Sequence, residues 1–194
     1  YVYLINLGIF TVIFIILFMA CIMVMSMTIY TLPFGVALGS FFAASAYMLL
    51  RAKAPKTGAI ILFGILFGLI MFAMGSGWPI LASVVVSSII AELIARSGDY
   101  KGYAREVIGY CILMMGTAVG SYIPFLVMKD YYLKLAEGNS INGEFMSRLV
   151  EFISGPYLML ALVTTIVTAI LGTMLARAIF KKHLVKAGLI REMK

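Results

Sequence analysis

The chain has 194 residues, of which 63% are hydrophobic and 12% are charged, and its formal net charge is +7. A soluble domain has about 25% charged residues, whereas this chain has none between Tyr1 and Leu50. These values exclude a soluble globular fold and predict an all-α integral membrane protein with a single transmembrane domain over residues 1–194. The basic residues form no stripe interleaved with aromatic residues, so nucleic-acid binding is not expected.

Six apolar segments are long enough to span a bilayer, for which a helix needs about 20 residues. They cover residues 3–26, 32–50, 58–75, 78–96, 106–128 and 156–180. The first segment is too long for the core of a signal peptide, and no A-x-A-like cleavage site follows it. We therefore expect it to be retained, which gives a bundle of six transmembrane helices.

The basic residues are distributed unevenly between the two sides of this bundle. The 51–57 loop, the 96–105 loop and the C-terminal tail hold twelve of the fifteen lysines and arginines. Cytoplasmic loops carry an excess of Lys and Arg, so this distribution predicts that both termini face the cytoplasm.

The stretch AMGSGWPI, residues 73–80, interrupts the apolar sequence between the third and fourth helices. Gly75 and Gly77 permit positive φ, and Pro79 suits the first turn of a helix, so a tight outer turn is predicted here. Trp78 is typical of the aromatic belt of a membrane protein, and it equally suits a pocket that opens to the outside. The sequence leaves both interpretations open.

The connection at 129–155 is the longest one and contains the turn-rich stretch AEGNSING. A short amphipathic helix is predicted at 144–153, lying on the outer surface. Its apolar face would hold Phe145, Leu149, Phe152 and Ile153.

The sequence contains little that could support catalysis. It has one histidine, His183, in the basic tail, and no H-E-x-x-H, G-x-S-x-G or nucleotide-binding G-x-x-x-x-G-K-[ST] motif. Cys21 and Cys111 are expected at different depths, which argues against a disulfide and a metal pair. Glu92 is expected near the cytoplasmic interface, paired with Arg96 four residues later. We therefore expect a protein that is not an enzyme and has no cofactor or metal.

Small residues recur at a spacing of four in several helices, as in Gly35–Gly39, Gly64–Gly68, Gly116–Gly120 and Gly172–Ala176. Such pairs let helix backbones approach closely. They fit packing within one bundle as well as docking of a partner membrane protein.

Aromatic, thioether and small polar side chains are concentrated on the predicted outer side, where they suit adaptable binding of a ligand. The candidate substrate-binding residues are Tyr30, Met74, Ser76, Trp78, Tyr122, Asp130, Tyr131, Asn139, Tyr157 and Met159.

Five stretches in collinear order carry a family resemblance: LINLGIFTVIF, GSGW, ELIARSGDYK, IPFLVMKDYY and LARAIFKKHLVKAG. With them the chain resembles the Trep_Strep group of S components, the substrate-capturing membrane subunits of bacterial energy-coupling factor (ECF) importers of the ABC class. The resemblance implies a pocket formed by helices 4–6 and the outer loops. It also implies docking onto a transmembrane T component that carries two ATPase subunits, which would perform the ATP hydrolysis.

Many S components dock through an Ala-x-x-x-Ala pattern on helix 1, and the corresponding place here holds Gly8 and Thr11 instead. The resemblance and the spacing of small residues together suggest a docking face made of Gly8, Thr11, Gly35 and Gly39.

The expected substrate is a vitamin-like or other micronutrient. Lys129 and Asp130 form one charged pair among aromatic and small polar groups, which favours a planar or amphipathic molecule; a tetrapyrrole with a Tyr or Met ligand also fits. Two other classes remain open. A secondary transporter working alone would be expected to carry intramembrane charges and paired broken helices. A membrane scaffold would bind no ligand.

Overall fold

The computed structural model describes residues 2–100, 102–131, 134, 143–153 and 156–185. We number its helices in chain order: α1 Val2–Met25, α2 Gly35–Lys53, α3 Ala59–Met71, α4 Trp78–Arg96, α5 Tyr103–Val127, α6 Gly143–Ile153 and α7 Pro156–Phe180. A 3-10 turn at Leu32–Phe34 precedes α2, and turns of π-helix at Phe72–Ser76 and Lys181–Val185 extend α3 and α7.

Six helical segments have the length and apolar composition needed to cross a membrane. They are Tyr3–Met25, Leu32–Lys53, Ala59–Ser76, Trp78–Arg96, Tyr103–Pro124 and Pro156–His183. The all-helical fold with six predicted spans is thereby confirmed.

The six long helices form a closed ring in the order α1, α2, α7, α5, α4, α3, with α3 returning to α1 and α2 touching α5 across the middle. Four phenylalanine rings of α1 and α3 (Phe14, Phe18, Phe63 and Phe67) pack edge-to-face and stacked in its core. Polar contacts add cross-links: the Tyr110 hydroxyl donates to the Ser40 carbonyl at 2.6 Å. Lipid tails are as apolar as the helix surfaces, so the hydrophobic effect does not drive helices together in a bilayer. Packing and hydrogen bonds of this kind hold them together instead.

The small residues of the spaced pairs lie where two helices approach most closely. A Cβ atom at Gly172 would lie 2.5 Å from the Phe41 carbonyl oxygen, and one at Gly116 would overlap the Ser87 side chain. The structure therefore uses these glycines for packing between α2 and α7 and between α4 and α5.

The four residues predicted to dock a partner fall into two groups. Thr11 is buried, and Gly35 and Gly39 face Ile22 and Phe18 of α1, so all three serve contacts within the bundle. Gly8 has open space where its side chain would be, with no described atom within 4 Å. Of the four, Gly8 is the one that offers a surface.

The α3–α4 turn agrees with the sequence prediction. Gly75 and Gly77 have φ of 90° and 82°, values that other residues rarely adopt, and α4 begins at Trp78 with Pro79 in its first turn. Trp78 thus stands at the start of a helix, directly after a glycine turn.

The charges predicted for the loops require a correction. α2 continues to Lys53, which brings Arg51 into the helix, and α5 begins at Tyr103, which places Glu106 in its first turn. Both side chains are buried and paired with each other, so Arg51 is not a loop charge as the sequence predicts. The sequence does not show which helix ends lie next to each other in space, so this pairing could not be predicted from it.

The predicted ion pair of Glu92 with Arg96 is also wrong. Glu92 is buried and points toward the start of α3, whereas the Arg96 side chain is exposed and forms no ion pair with it. The N–H groups at the helix N-terminus attract the carboxylate more strongly than an exposed side chain on the same helix does.

Candidate functional site

We call the end of the bundle where α2 ends and α5 begins the basic end, and the end where α1 ends and α4 and α7 begin the aromatic end. Three rings meet at the aromatic end. Tyr30 and Phe152 are perpendicular with ring centroids 5.3 Å apart, and Phe152 stacks on Tyr157 at 4.1 Å. Such offset and edge-to-face pairs are the preferred arrangements of aromatic rings.

These rings form the wall of a cleft of about 500 Å³, which we call the aromatic cleft. It is lined by Ile29, Tyr30, Arg148, Glu151, Phe152, Pro156 and Tyr157. The volume lies within the range of about 300–1,000 Å³ that is usual for small-molecule sites. The arrangement therefore suits a small molecule with a flat apolar part.

Helix α6 supplies one side of the cleft, and it is the amphipathic helix that the sequence predicts. Leu149, Val150 and Ile153 are buried against the bundle. The opposite face carries exposed Arg148 and Glu151, with Phe152 half-buried between the two faces. The helical period thus places an aromatic ring and two charges at the rim of the cleft.

Tyr30 comes from the turn between α1 and α2, which side-chain hydrogen bonds hold in place. The Thr31 hydroxyl donates to the Met25 carbonyl at 2.6 Å and contacts the Thr28 hydroxyl at 2.8 Å. Tyr157 is fixed as the second residue of α7, after Pro156. Both rings remain accessible, with Tyr30 71% and Tyr157 44% exposed.

The two charged side chains that line the cleft differ in whether they form an ion pair. Arg148 donates to Glu144 at 2.7 Å, and both of these side chains are about two-thirds exposed. Glu151 forms no ion pair with any residue that the structure describes. At the rim of the cleft, the Glu151 carboxylate is therefore unpaired within the part of the chain that the structure describes.

Two of the predicted substrate residues, Tyr30 and Tyr157, are brought together in the aromatic cleft. Met159 lies beside them and lines a neighbouring shallow groove with Tyr157 and Leu160. Tyr122 is buried instead, and its hydroxyl accepts a hydrogen bond from the Val36 N–H at 3.4 Å. It ties α5 to the start of α2 and is not part of the cleft wall.

The remaining predicted residues lie elsewhere at the aromatic end or outside the described part. Met74, Ser76 and Trp78 belong to the α3–α4 hairpin, where Trp78 is 51% exposed. Asp130 is exposed and Tyr131 is half-buried after α5, while Asn139 lies outside the described residues. None of the five described ones, which are all of these except Asn139, lines the aromatic cleft as defined above.

The sequence pattern places Phe152 on the apolar face of a helix and does not indicate that its ring lines the cleft. Its ring joins Tyr30 to Tyr157, although the three residues come from three different elements. A useful signal was present in the sequence: Phe152 and Tyr157 flank Gly155–Pro156, a pair of residues typical of a break between two helices.

The basic end holds a buried charge network. Arg51 donates twice to Glu106, from Nε at 2.8 Å and from Nη2 at 3.0 Å, and its Nη1 donates to the Ala54 carbonyl. The guanidinium also lies 5.3 Å from the centre of the Tyr100 ring. Both members of the Arg51–Glu106 pair are thus hydrogen-bonded, as a desolvated ion pair requires.

Glu92 completes this network from α4. Its two carboxylate oxygens accept hydrogen bonds from the N–H groups of Gly58 and Ile60 at 2.8 and 2.9 Å, which caps the N-terminus of α3. The Tyr100 hydroxyl donates to Glu92 at 2.8 Å, and burial raises the pKa of the Tyr100 phenol, so it stays a donor at neutral pH. The buried contacts of the basic end therefore hold its helices together, whereas the aromatic end carries an accessible cleft.

Among the described residues, no group of three His, Cys, Asp or Glu side chains is placed to hold a metal ion. A comparison with protein families matches residues 3–186 to Trep_Strep, described as a hypothetical bacterial integral membrane protein. No curated protein and no solved structure matches the chain. The match and the six apolar helices agree on a multi-pass membrane protein.

Proposed function

We propose that this chain, which belongs to the Trep_Strep family of bacterial integral membrane proteins, is the substrate-capturing S component of an ECF-type importer. The observation that carries the proposal is the aromatic cleft of about 500 Å³ at the end of the bundle opposite the basic end. A cleft at one end of the bundle, with a buried charge network at the other end, suits capture from one side of a membrane.

The proposed orientation places the aromatic cleft outside the cell and both termini in the cytoplasm of the bacterial plasma membrane. It is supported by the excess of Lys and Arg in the segments of the basic end. Two single cysteines test it, Lys53→Cys at the basic end and Ser147→Cys on α6, both exposed positions, in a chain without native cysteines. A membrane-impermeant thiol reagent on intact cells should label position 147 and not position 53; the reverse pattern would overturn the orientation.

Energy for transport would come from partners. The sequence contains no nucleotide-binding G-x-x-x-x-G-K-[ST] motif, so a transmembrane T component with two ATPase subunits would hydrolyse the ATP. The open surface around Gly8 on α1 is the part of the predicted docking face that is accessible for such a partner.

The decisive experiment combines ligand identification with transport. The chain is purified in detergent, co-purifying small molecules are identified by mass spectrometry, and their uptake is measured in proteoliposomes with and without the T component and ATPases. Uptake that requires ATP and the partners is expected. Uptake by the chain alone with an ion gradient would establish a secondary transporter instead, and the absence of any bound or stabilising micronutrient would indicate a scaffold.

A further inference from the structure

The charge at the rim of the aromatic cleft points to a class of ligand. We infer that the cleft selects an organic cation, a small molecule with a flat ring and a single positive charge; this rests on the proposed function of the cleft as the capture site. Two charged side chains line the cleft, Arg148 and Glu151, and they differ in how they are used. Arg148 is held by Glu144 at 2.7 Å, while Glu151 has no ion-pair partner among the described residues.

The three rings favour the same class of ligand. Tyr30 stands perpendicular to Phe152, so their surfaces form two walls at a right angle, and Tyr157 extends the second wall by stacking. The face of an aromatic ring is negative and its edge positive, so a cation held against such faces is attracted. Tyr30 and Tyr157 each keep ring surface that a ligand can cover, because both are exposed.

An anionic ligand would meet the opposite conditions. It would face the carboxylate of Glu151, which pairs with no described residue, and the negative ring faces, while the charge of Arg148 is already partly balanced by Glu144. A neutral ligand would gain the ring contacts without the attraction of the carboxylate. The expected order of affinity is therefore cation, then neutral molecule, then anion.

Three probes of nearly the same shape test this order: N-methylquinolinium as the cation, quinoline as the neutral ring at pH 8, and quinaldate as the anion. Binding of each to the full chain in lipid nanodiscs is measured by calorimetry. Glu151→Gln should weaken N-methylquinolinium about 2- to 5-fold, the range of an exposed ionic or cation–π contact, and leave quinoline unchanged. Tyr157→Leu should weaken both probes.

A matched control is Asp99→Asn, which removes an exposed carboxylate at the basic end and should leave all three affinities unchanged. Equal affinity for the probes, a preference for quinaldate, or no effect of Glu151→Gln on the cation would overturn the inference on charge and leave the cleft as a capture site. If no probe bound, or if Tyr157→Leu weakened the binding of none of them, both the inference on charge and the role of the cleft as a capture site would be rejected. Failure of the proposed importer role would be seen in a separate measurement. Uptake would then be independent of ATP, although the three probes kept the expected order of affinity.

Discussion

Arg51 of α2 and Glu106 of α5 form a two-pronged salt bridge, with both side chains almost fully buried at 1% and 2% exposure. The pair connects two helices that face each other across the ring. Ionised side chains at such depth are costly unless they are paired and hydrogen-bonded, so the pair fixes how these two helices meet. Tyr100 covers the guanidinium and links this pair to Glu92 on α4.

The first prediction concerns this pair. Glu106→Ala should lower the free energy of unfolding by about 3–5 kcal/mol, because it leaves the Arg51 charge buried without a partner. Glu144→Ala is the control, since it removes an ion pair that is about two-thirds exposed and should cost less than about 1 kcal/mol. Unfolding of both variants in detergent is followed by circular dichroism.

Replacing both partners separates the effect of the ion pair on stability from the effect of side-chain packing. The double variant Arg51→Met with Glu106→Leu removes both charges and should recover most of the stability that Glu106→Ala loses. Equal losses for Glu106→Ala and Glu144→Ala would contradict the structural role of the buried pair.

The second prediction concerns the cap of α3. Glu92→Ala should destabilise the protein by about 2–3 kcal/mol, because two backbone N–H groups and a phenol lose their acceptor. Tyr100→Phe removes one of these hydrogen bonds and should cost about 1 kcal/mol. Arg96→Ala should be nearly neutral, because Arg96 is exposed and does not pair with Glu92. Thermal unfolding in one detergent ranks the three variants, and a loss for Arg96→Ala as large as for Glu92→Ala would contradict this order.

Much of the fold could be predicted from the sequence, because in a bilayer the length and composition of an apolar segment nearly determine a spanning helix. The α3–α4 turn could also be predicted, since Gly75 and Gly77 favour positive φ and Pro79 favours the start of a helix. The contact between the end of α2 and the start of α5 could not be predicted. A charged residue such as Arg51 is expected in solvent unless the buried partner is known, and that partner lies 55 residues away in the chain.

The candidate site could be predicted only in part. Tyr30 and Tyr157 were recognised because aromatic residues mark the interface, but the same property applies to most of the eleven tyrosines of the chain. Tyr122 was predicted beside them, and the structure buries it against Val36. Which aromatic residues meet is decided by where α6 packs, and the amphipathic pattern shows that a helix lies on a surface without showing where.

The third prediction separates packing glycines from the proposed docking surface. Gly172→Leu should destabilise the bundle, because a side chain there would collide with the Phe41 carbonyl and Ala44. Gly8→Leu should leave the unfolding temperature unchanged, since no described atom lies within 4 Å of the new Cβ, yet it should reduce co-purification of the T component. Full recovery of the partner with a stable Gly8→Leu chain would reject this part of α1 as the docking surface.

The last prediction concerns Trp78, which stands half-exposed at the start of α4 and does not line the aromatic cleft. We expect the co-purifying ligand to cover the indole as well, which would contribute about 1–3 kcal/mol, so Trp78→Ala should weaken binding by roughly 5- to 150-fold. Trp78→Phe should recover part of this loss. Phe72→Ala is the control, because Phe72 has similar exposure on the same hairpin and should leave the affinity unchanged.

Calorimetry with the identified ligand measures these affinities, and unfolding in detergent should show all three Trp78 and Phe72 variants as stable as the parent, because neither side chain is buried. A drop in affinity for Trp78→Ala alone would extend the binding surface from α6 and α7 to the α3–α4 turn. Equal affinity for the parent and Trp78→Ala would make Trp78 an anchor in the aromatic belt. The ligand would then be held by Tyr30, Phe152 and Tyr157, without help from the hairpin.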